Sequence, residues 1–171
     1  MEEFVMVSFP EAMREYRRQI EKGVIIDAYR GLMNYFNTLR VYFQKQYPEY
    51  GVSGSVYYGF MDMTYFALFP DTLKRQKLKI AIVFLHEAFR FEVWLSGSNR
   101  AVQTEYWKLV QTGDWEDYRI PAIEKGVDSI LEYIVVESPD FGDLDTLTEQ
   151  IEHGTLKFIR DVEKFIAKQK P

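Results

Sequence analysis

The chain has no cysteine and only two histidines, His86 and His153. Thiolate nucleophiles, disulfides, iron–sulfur clusters and sulfur-ligated zinc are therefore excluded. His86 stands beside Glu87, and an imidazole next to a carboxylate can act as a general base near neutral pH. Neighbours on a strand point to opposite faces, however, so the pair reads first as an exposed turn. Asp62, His86, Glu87 and Glu92 have the nitrogen and oxygen donors that suit several divalent ions. Neither an HExxH pattern nor a calcium loop accompanies them, and no metal or other cofactor is expected. His153 lies next to a glycine in the C-terminal region and reads as a solvated or capping residue.

Arg90, Glu92 and Trp94 alternate with Phe89, Phe91, Val93 and Leu95. Period-two alternation puts the first set on one face of a strand and the apolar set in the core. A cation, a carboxylate and an indole in line form either an exposed face with an ion pair or one wall of a recess. In a recess the charges would need partners. Asp62 followed by Glu92-Val93-Trp94 matches the acidic positions of metal-dependent nucleases, but Trp94 stands where such a motif has lysine. Lys74, Arg75, Lys77 and Lys79 form a basic cluster that could touch phosphate or line the mouth of a pocket for an anionic ligand, but reads first as a solvated guard for the strand behind it. Tyr57, Tyr58, Phe60, Tyr65 and Phe66 crowd the segment around Asp62. Tyrosine combines a large apolar area with a hydroxyl, which suits core, pocket wall and interface alike.

The elements that must position these residues follow from periodicity. Ser8, Pro10 and Glu11 form a capping-box signature for a helix start. Gly23 then interrupts, and Ala28, Leu32, Phe36, Leu39 and Phe43 mark a helix over residues 24–46, closed by Pro48. Residues 54–60 and 63–69 read as two strands around Asp62, or one long bent strand. Residues 70–76 form a turn or short helix. Residues 78–85 and 89–95 form an antiparallel hairpin around His86, Glu87 and Ala88, with the apolar run 80–85 in a central strand. A helix follows Ser96-Gly97-Ser98 and stops at Gly113. Residues 118–123 suggest an edge strand at Pro121. Val127, Ile130, Leu131, Ile134 and Val135 fit helical spacing and read as a helix, although Val135-Val136 favour a strand. Residues 147–167 form a last helix, or a helix pair broken near Gly154.

Helices, then strands, then helices imply an α+β fold: one domain over residues 1–171, with an antiparallel sheet of four or five strands flanked by N-terminal and C-terminal helices. The 171 residues are 47% hydrophobic and 27% charged, a globular composition. The longest fully apolar run, 80–85, is far too short to span a membrane. The net charge of −5 argues against a nucleic-acid partner. With an acidic start and no leader-like stretch, the expected location is cytoplasmic.

The runs MREYRRQIEKG (13–23), YPEYGVSGSVYYGFMDMTYF (47–66) and LKIAIVFLHEAFRFEVWLSGSN (78–99) resemble an uncharacterised family of small microbial proteins, a domain of unknown function. The resemblance implies one intact domain and transfers no site. The residues themselves favour a soluble intracellular binding module. It would hold a small-molecule ligand or a partner segment against the aromatic-rich sheet with Tyr57, Tyr58, Asp62, His86, Arg90, Glu92 and Trp94. One alternative is a homodimeric scaffold without a pocket. Another is a hydrolase of unrecognised type using His86 or Asp62 and Glu92. No membrane partner is expected.

Overall fold

The computed structural model describes residues 7–169. Its elements run α1 (Phe9–Glu21), α2 (Val24–Gln46), β1 (Gly51–Val52), β2 (Met63–Phe69), α3 (Asp71–Lys74), β3 (Leu78–Leu85), β4 (Arg90–Gly97), α4 (Arg100–Val110), β5 (Ser129–Val136) and α5 (Leu144–Gln169). The fold is α+β, with five antiparallel strands in sequential order. By their contacts the described residues group into two compact units, one ending at Thr38 and one beginning at Leu39, with the boundary inside α2.

In the first unit, the Glu11 carboxylate accepts the Ser8 backbone N–H at 3.0 Å, satisfying a donor at the start of α1. Gly23 takes φ +77°, a conformation that favours glycine, and turns the chain into α2. Arg17–Glu21 and Arg18–Glu15 pairs line α1, and none of its residues is buried.

In the second unit, β3 is the middle strand, as its apolar run implies. Phe66, Ile82, Phe84, Phe91 and Val93 share one sheet face by register and are all buried. The end of α2 packs there through Phe43 against Phe66. Helix α5 packs there through Phe158, stacked on Tyr133. Tyr42 and Tyr47 of the α2 end both donate their hydroxyls to Glu152 of α5. Burial pushes the Tyr42 and Tyr47 hydroxyls up, and the Glu152 carboxylate adds to the shift.

Four expectations need correction. Residues 54–60 are not a strand: they hold one bridge, Tyr57 to Tyr65. Gly59 at φ +74° and Met61 at φ +64° turn the chain away, and a Cβ on Gly59 would lie 2.0 Å from the Met63 carbonyl oxygen. Residues 118–123 likewise make a single bridge, Arg119 to Glu132, because Pro121 has no N–H with which to continue a ladder. The segment expected as a helix around Val127–Val135 is strand β5, which pairs with β4 through two register shifts. Its β-branched residues suit a strand. The otherwise unpaired edge of β4 supplies the hydrogen bonds that decide the matter. Phe89 does not join the core: it sits at φ +54° in the hairpin turn and is 58% exposed.

Of the two forms open from sequence, the continuous helix holds: α5 runs through Gly154 without a break. The glycine serves packing: a Cβ would come within 2.6 Å of Val135 Cγ1 and 2.9 Å of Val135 Cβ. Valine is stiff at χ1 and cannot swing aside cheaply. Gly-to-Ala in a helix interior normally gains about 1 kcal/mol of propensity. Here overpacking against β5, costing about 1–3 kcal/mol, outweighs it. Gly154→Ala is therefore expected to lower the urea midpoint, and a raised midpoint would show that β5 and α5 are not in this contact.

Candidate functional site

The second face of the sheet carries the polar chemistry. By register, Tyr65, Val83 and Glu92 form one row across β2, β3 and β4, and Ala67, Ala81, Trp94 and Glu132 form the next, across β2 to β5. Lys79 and Ser96 pair at one end, Leu85 and Arg90 at the other.

Glu92 has no solvent exposure. Its Oε1 accepts from Arg90 Nε at 2.8 Å, and its Oε2 accepts from Trp94 Nε1 at 2.6 Å. Arg119 Nη2 lies 3.8 Å from Oε2 and also pairs with Glu132, which in turn accepts the Ser129 hydroxyl at 2.5 Å. Arg90 reaches outward to Glu137 at 3.3 Å. Burial works against the Arg90 cation, but its bonds to Glu92 and Glu137 outweigh that and raise its pKa. Of the two arrangements open from sequence, the desolvated one holds for Glu92.

Beside this network lies a concavity of about 280 Å³. Ala81 and Val83 form its floor, with Tyr65 and Trp94 flanking them. The small Ala81 side chain opens the space, and the Trp94 ring is held at its margin by the bond to Glu92. At one end stand Lys79, Ser96 and, beyond β4, Arg100 and Gln103 of α4, with Asp128 on the rim. Burial raises the Tyr65 hydroxyl's pKa, assisted by Tyr57 and the charge of Asp128.

The structure divides the sequence candidates into groups. Arg90, Glu92 and Trp94 come together as described. Tyr57 rests on Tyr65, ring centroids 4.9 Å apart, but neither it nor Tyr58 lines the concavity, and both are exposed. Asp62 turns its carboxylate onto the Phe60 N–H of its own loop at 2.8 Å, and such backbone bonds hold it below the usual carboxylate range. His86 donates its backbone N–H to the Asp62 carbonyl, while its Nε2 faces Thr64 Oγ1 at 2.9 Å, and Thr64 belongs to the packed face with Phe84. Burial lowers the His86 pKa, with Asp62 opposing. Asp62 and His86 are thus neighbours, but on register they do not share a face with Glu92. Among the described residues no three His, Asp or Glu side chains gather as they would around a metal ion.

Arg119, Glu132, Ser129, Arg100 and Asp128 were not singled out from sequence. Arg119 and Glu132 stood in segments read as an edge strand and a helix. Only strand pairing places them beside Glu92.

The architecture defines this as an α+β protein built on a five-stranded antiparallel meander, with a charged network and a concavity on one sheet face. The chain belongs to the family described as a domain of unknown function, DUF7000, which it matches over residues 9–166. No curated protein and no solved structure matches the chain. No helix among the described residues is long and apolar enough to cross a membrane.

Removing one partner of a buried ion pair strands the other charge and costs about 3–5 kcal/mol, whereas an exposed pair contributes about 0–1 kcal/mol. Glu92→Gln should therefore destabilise by about 3 kcal/mol in denaturant melts. Glu21→Gln, in the exposed α1 pair, should cost no more than about 1 kcal/mol. Equal costs for the two would mean that Glu92 is hydrated.

Proposed function

We propose that the protein is a binding module that holds a small ligand in the concavity between Tyr65 and Trp94. The observation that carries this reading is the anchoring of Trp94 by a fully buried carboxylate. A buried ionic network is a poor way to gain stability, since apolar residues of similar volume commonly do as well or better. It does orient side chains, and here it fixes a ring at the margin of a concavity with an apolar floor and a few polar groups, the usual make-up of a ligand site. The cytoplasmic placement is part of the same proposal and is supported by the cysteine-free sequence. Ala81→Leu should fill the floor. In a fragment screen followed by NMR, shifts clustering on Tyr65, Trp94 and Ser96 in the natural chain, and lost in Ala81→Leu, support the reading. Fragments that bind both chains equally, or bind elsewhere, count against it.

A second reading, self-association, is favoured by the first unit. Phe9, Met13 and Tyr16 follow one another at helical spacing on α1, and all are exposed, as are Val24 and Ile25 at the start of α2. We propose a second copy of the chain as the occupant of this stripe. The first half of α1 carries Glu11 and Glu15 with Arg14, and its end carries Arg17, Arg18 and the adjoining Lys22 with Glu21, so antiparallel two-fold pairing sets a net acidic end against a net basic one. Sedimentation velocity should show a dimer that Met13→Glu with Tyr16→Glu converts to monomer. A natural chain that is monomeric at the same concentration would overturn this.

A further inference from the structure

We infer that the ligand of the sheet-face concavity is a flat aromatic ring bearing an acidic group, an inference that rests on the binding reading above. Three features of the site converge on this class.

The first is charge. Lys79 and Arg100 both line the concavity, and among the described residues neither has a carboxylate within 4 Å. Arg100 is nevertheless held in place: its Nη1 donates to Gln103 Oε1 at 2.6 Å and to the Val127 carbonyl at 3.2 Å, and its Nη2 to the Glu124 carbonyl at 2.9 Å. Neutral acceptors orient a guanidinium without cancelling its charge. Asp128 is the one acidic residue in the lining, so the two cations leave it net positive. An arginine fixed by carbonyls and a lysine without a counter-ion are donors for an anion that comes from outside the chain.

The second is shape. Tyr65 and Trp94 stand on β2 and β4, one strand to either side of the β3 floor of Ala81 and Val83. Tyr65 is in the row of Val83 and Trp94 in the row of Ala81, so the two rings stand diagonally, about 9.6 Å apart across the sheet and about 7 Å along it, which leaves between them a gap suited to a ring rather than a bulky aliphatic group. Aromatic walls favour an aromatic guest through offset or edge contacts.

The third is size. The volume of about 280 Å³ lies just below the roughly 300–1,000 Å³ common for ligand pockets. One ring, or two fused rings, with one acidic substituent is the scale that fits. The acid would face Lys79 and Arg100, with the ring over Ala81.

Four probes test the class against the full chain by NMR titration, read at the Trp94 indole N–H and the Ser96 and Ala81 amides. They are benzoate, its neutral counterpart benzamide, phenyl phosphate, and cyclohexanecarboxylate, an acid that is not flat. Benzoate is expected to bind about tenfold more tightly than benzamide, as one charge contact of about 1.4 kcal/mol requires, and more tightly than cyclohexanecarboxylate. Lys79→Gln, at a half-buried position on the strand face, should remove most of the advantage of benzoate over benzamide. Phenyl phosphate binding more tightly than benzoate supports the class and assigns the acid as a phosphate ester, and the reverse order assigns a carboxylate. Equal binding of benzoate and benzamide, or no effect of Lys79→Gln on benzoate, overturns the acidic part and leaves the binding site standing. Cyclohexanecarboxylate binding as well as benzoate overturns the aromatic part. If no probe moves these resonances but fragments do, the class is wrong; if nothing moves them, the site itself falls.

Discussion

The Glu92 carboxylate, without solvent exposure in the middle of a five-stranded sheet, is the constraint around which one sheet face is built. A charge taken out of water carries a penalty of several kcal/mol unless donors surround it. Strand alternation delivers two of them, Arg90 and Trp94, from the same strand two residues to either side. A third cation, Arg119, comes from a loop that pairs with β5 through one bridge, its N–H donating to the Glu132 carbonyl at 2.8 Å and its carbonyl accepting the Glu132 N–H at the same distance. The Arg119 side chain meets Glu132 as well as Glu92, so backbone pairing and charge pairing reinforce each other at that edge.

The two faces of the same strands do different work. Phe66, Phe84, Phe91 and Val93 make a continuous apolar layer beneath the end of α2 and α5, and Gly154 lets α5 come close to β5. Close packing of this kind holds the strands in one geometry. The opposite face can then tolerate a small floor residue, Ala81, where a larger side chain would have filled the concavity.

The loops complete that face by accepting unusual backbone. Met61, Lys77 and Phe89 all have positive φ, each at the end of a loop or turn just before the strand it feeds. Non-glycine residues in this region cost about 1–2 kcal/mol each. The Lys77 carbonyl accepts the Ser98 N–H at 2.9 Å, which holds the end of β4 beside the start of β3. That juxtaposition sets Lys79 near Arg100, residues far apart in sequence.

What the sequence determined by itself are the features carried by local pattern. The helix stripe of α2, the capping residues of α1, the apolar run of β3 and the alternation of β4 are each written within a dozen residues, and each is present in the fold. The same alternation placed Arg90, Glu92 and Trp94 on one face. What only the tertiary structure decided are the features that depend on a distant partner. Residues 129–136 have spacing compatible with helix or strand, and the free edge of β4 makes them a strand. Residues 54–60 have strand-like composition, yet two positive-φ positions, one of them forced by close backbone approach, reduce them to a single bridge. Tyr57, Tyr58, Asp62 and His86 are near Glu92 in pattern but are distributed over an edge loop and the opposite face. Arg119, Glu132, Arg100 and Asp128 carry no local signal at all, because a charge acquires its role from what lies within a few ångströms of it, and that is set by strand register rather than by chain order.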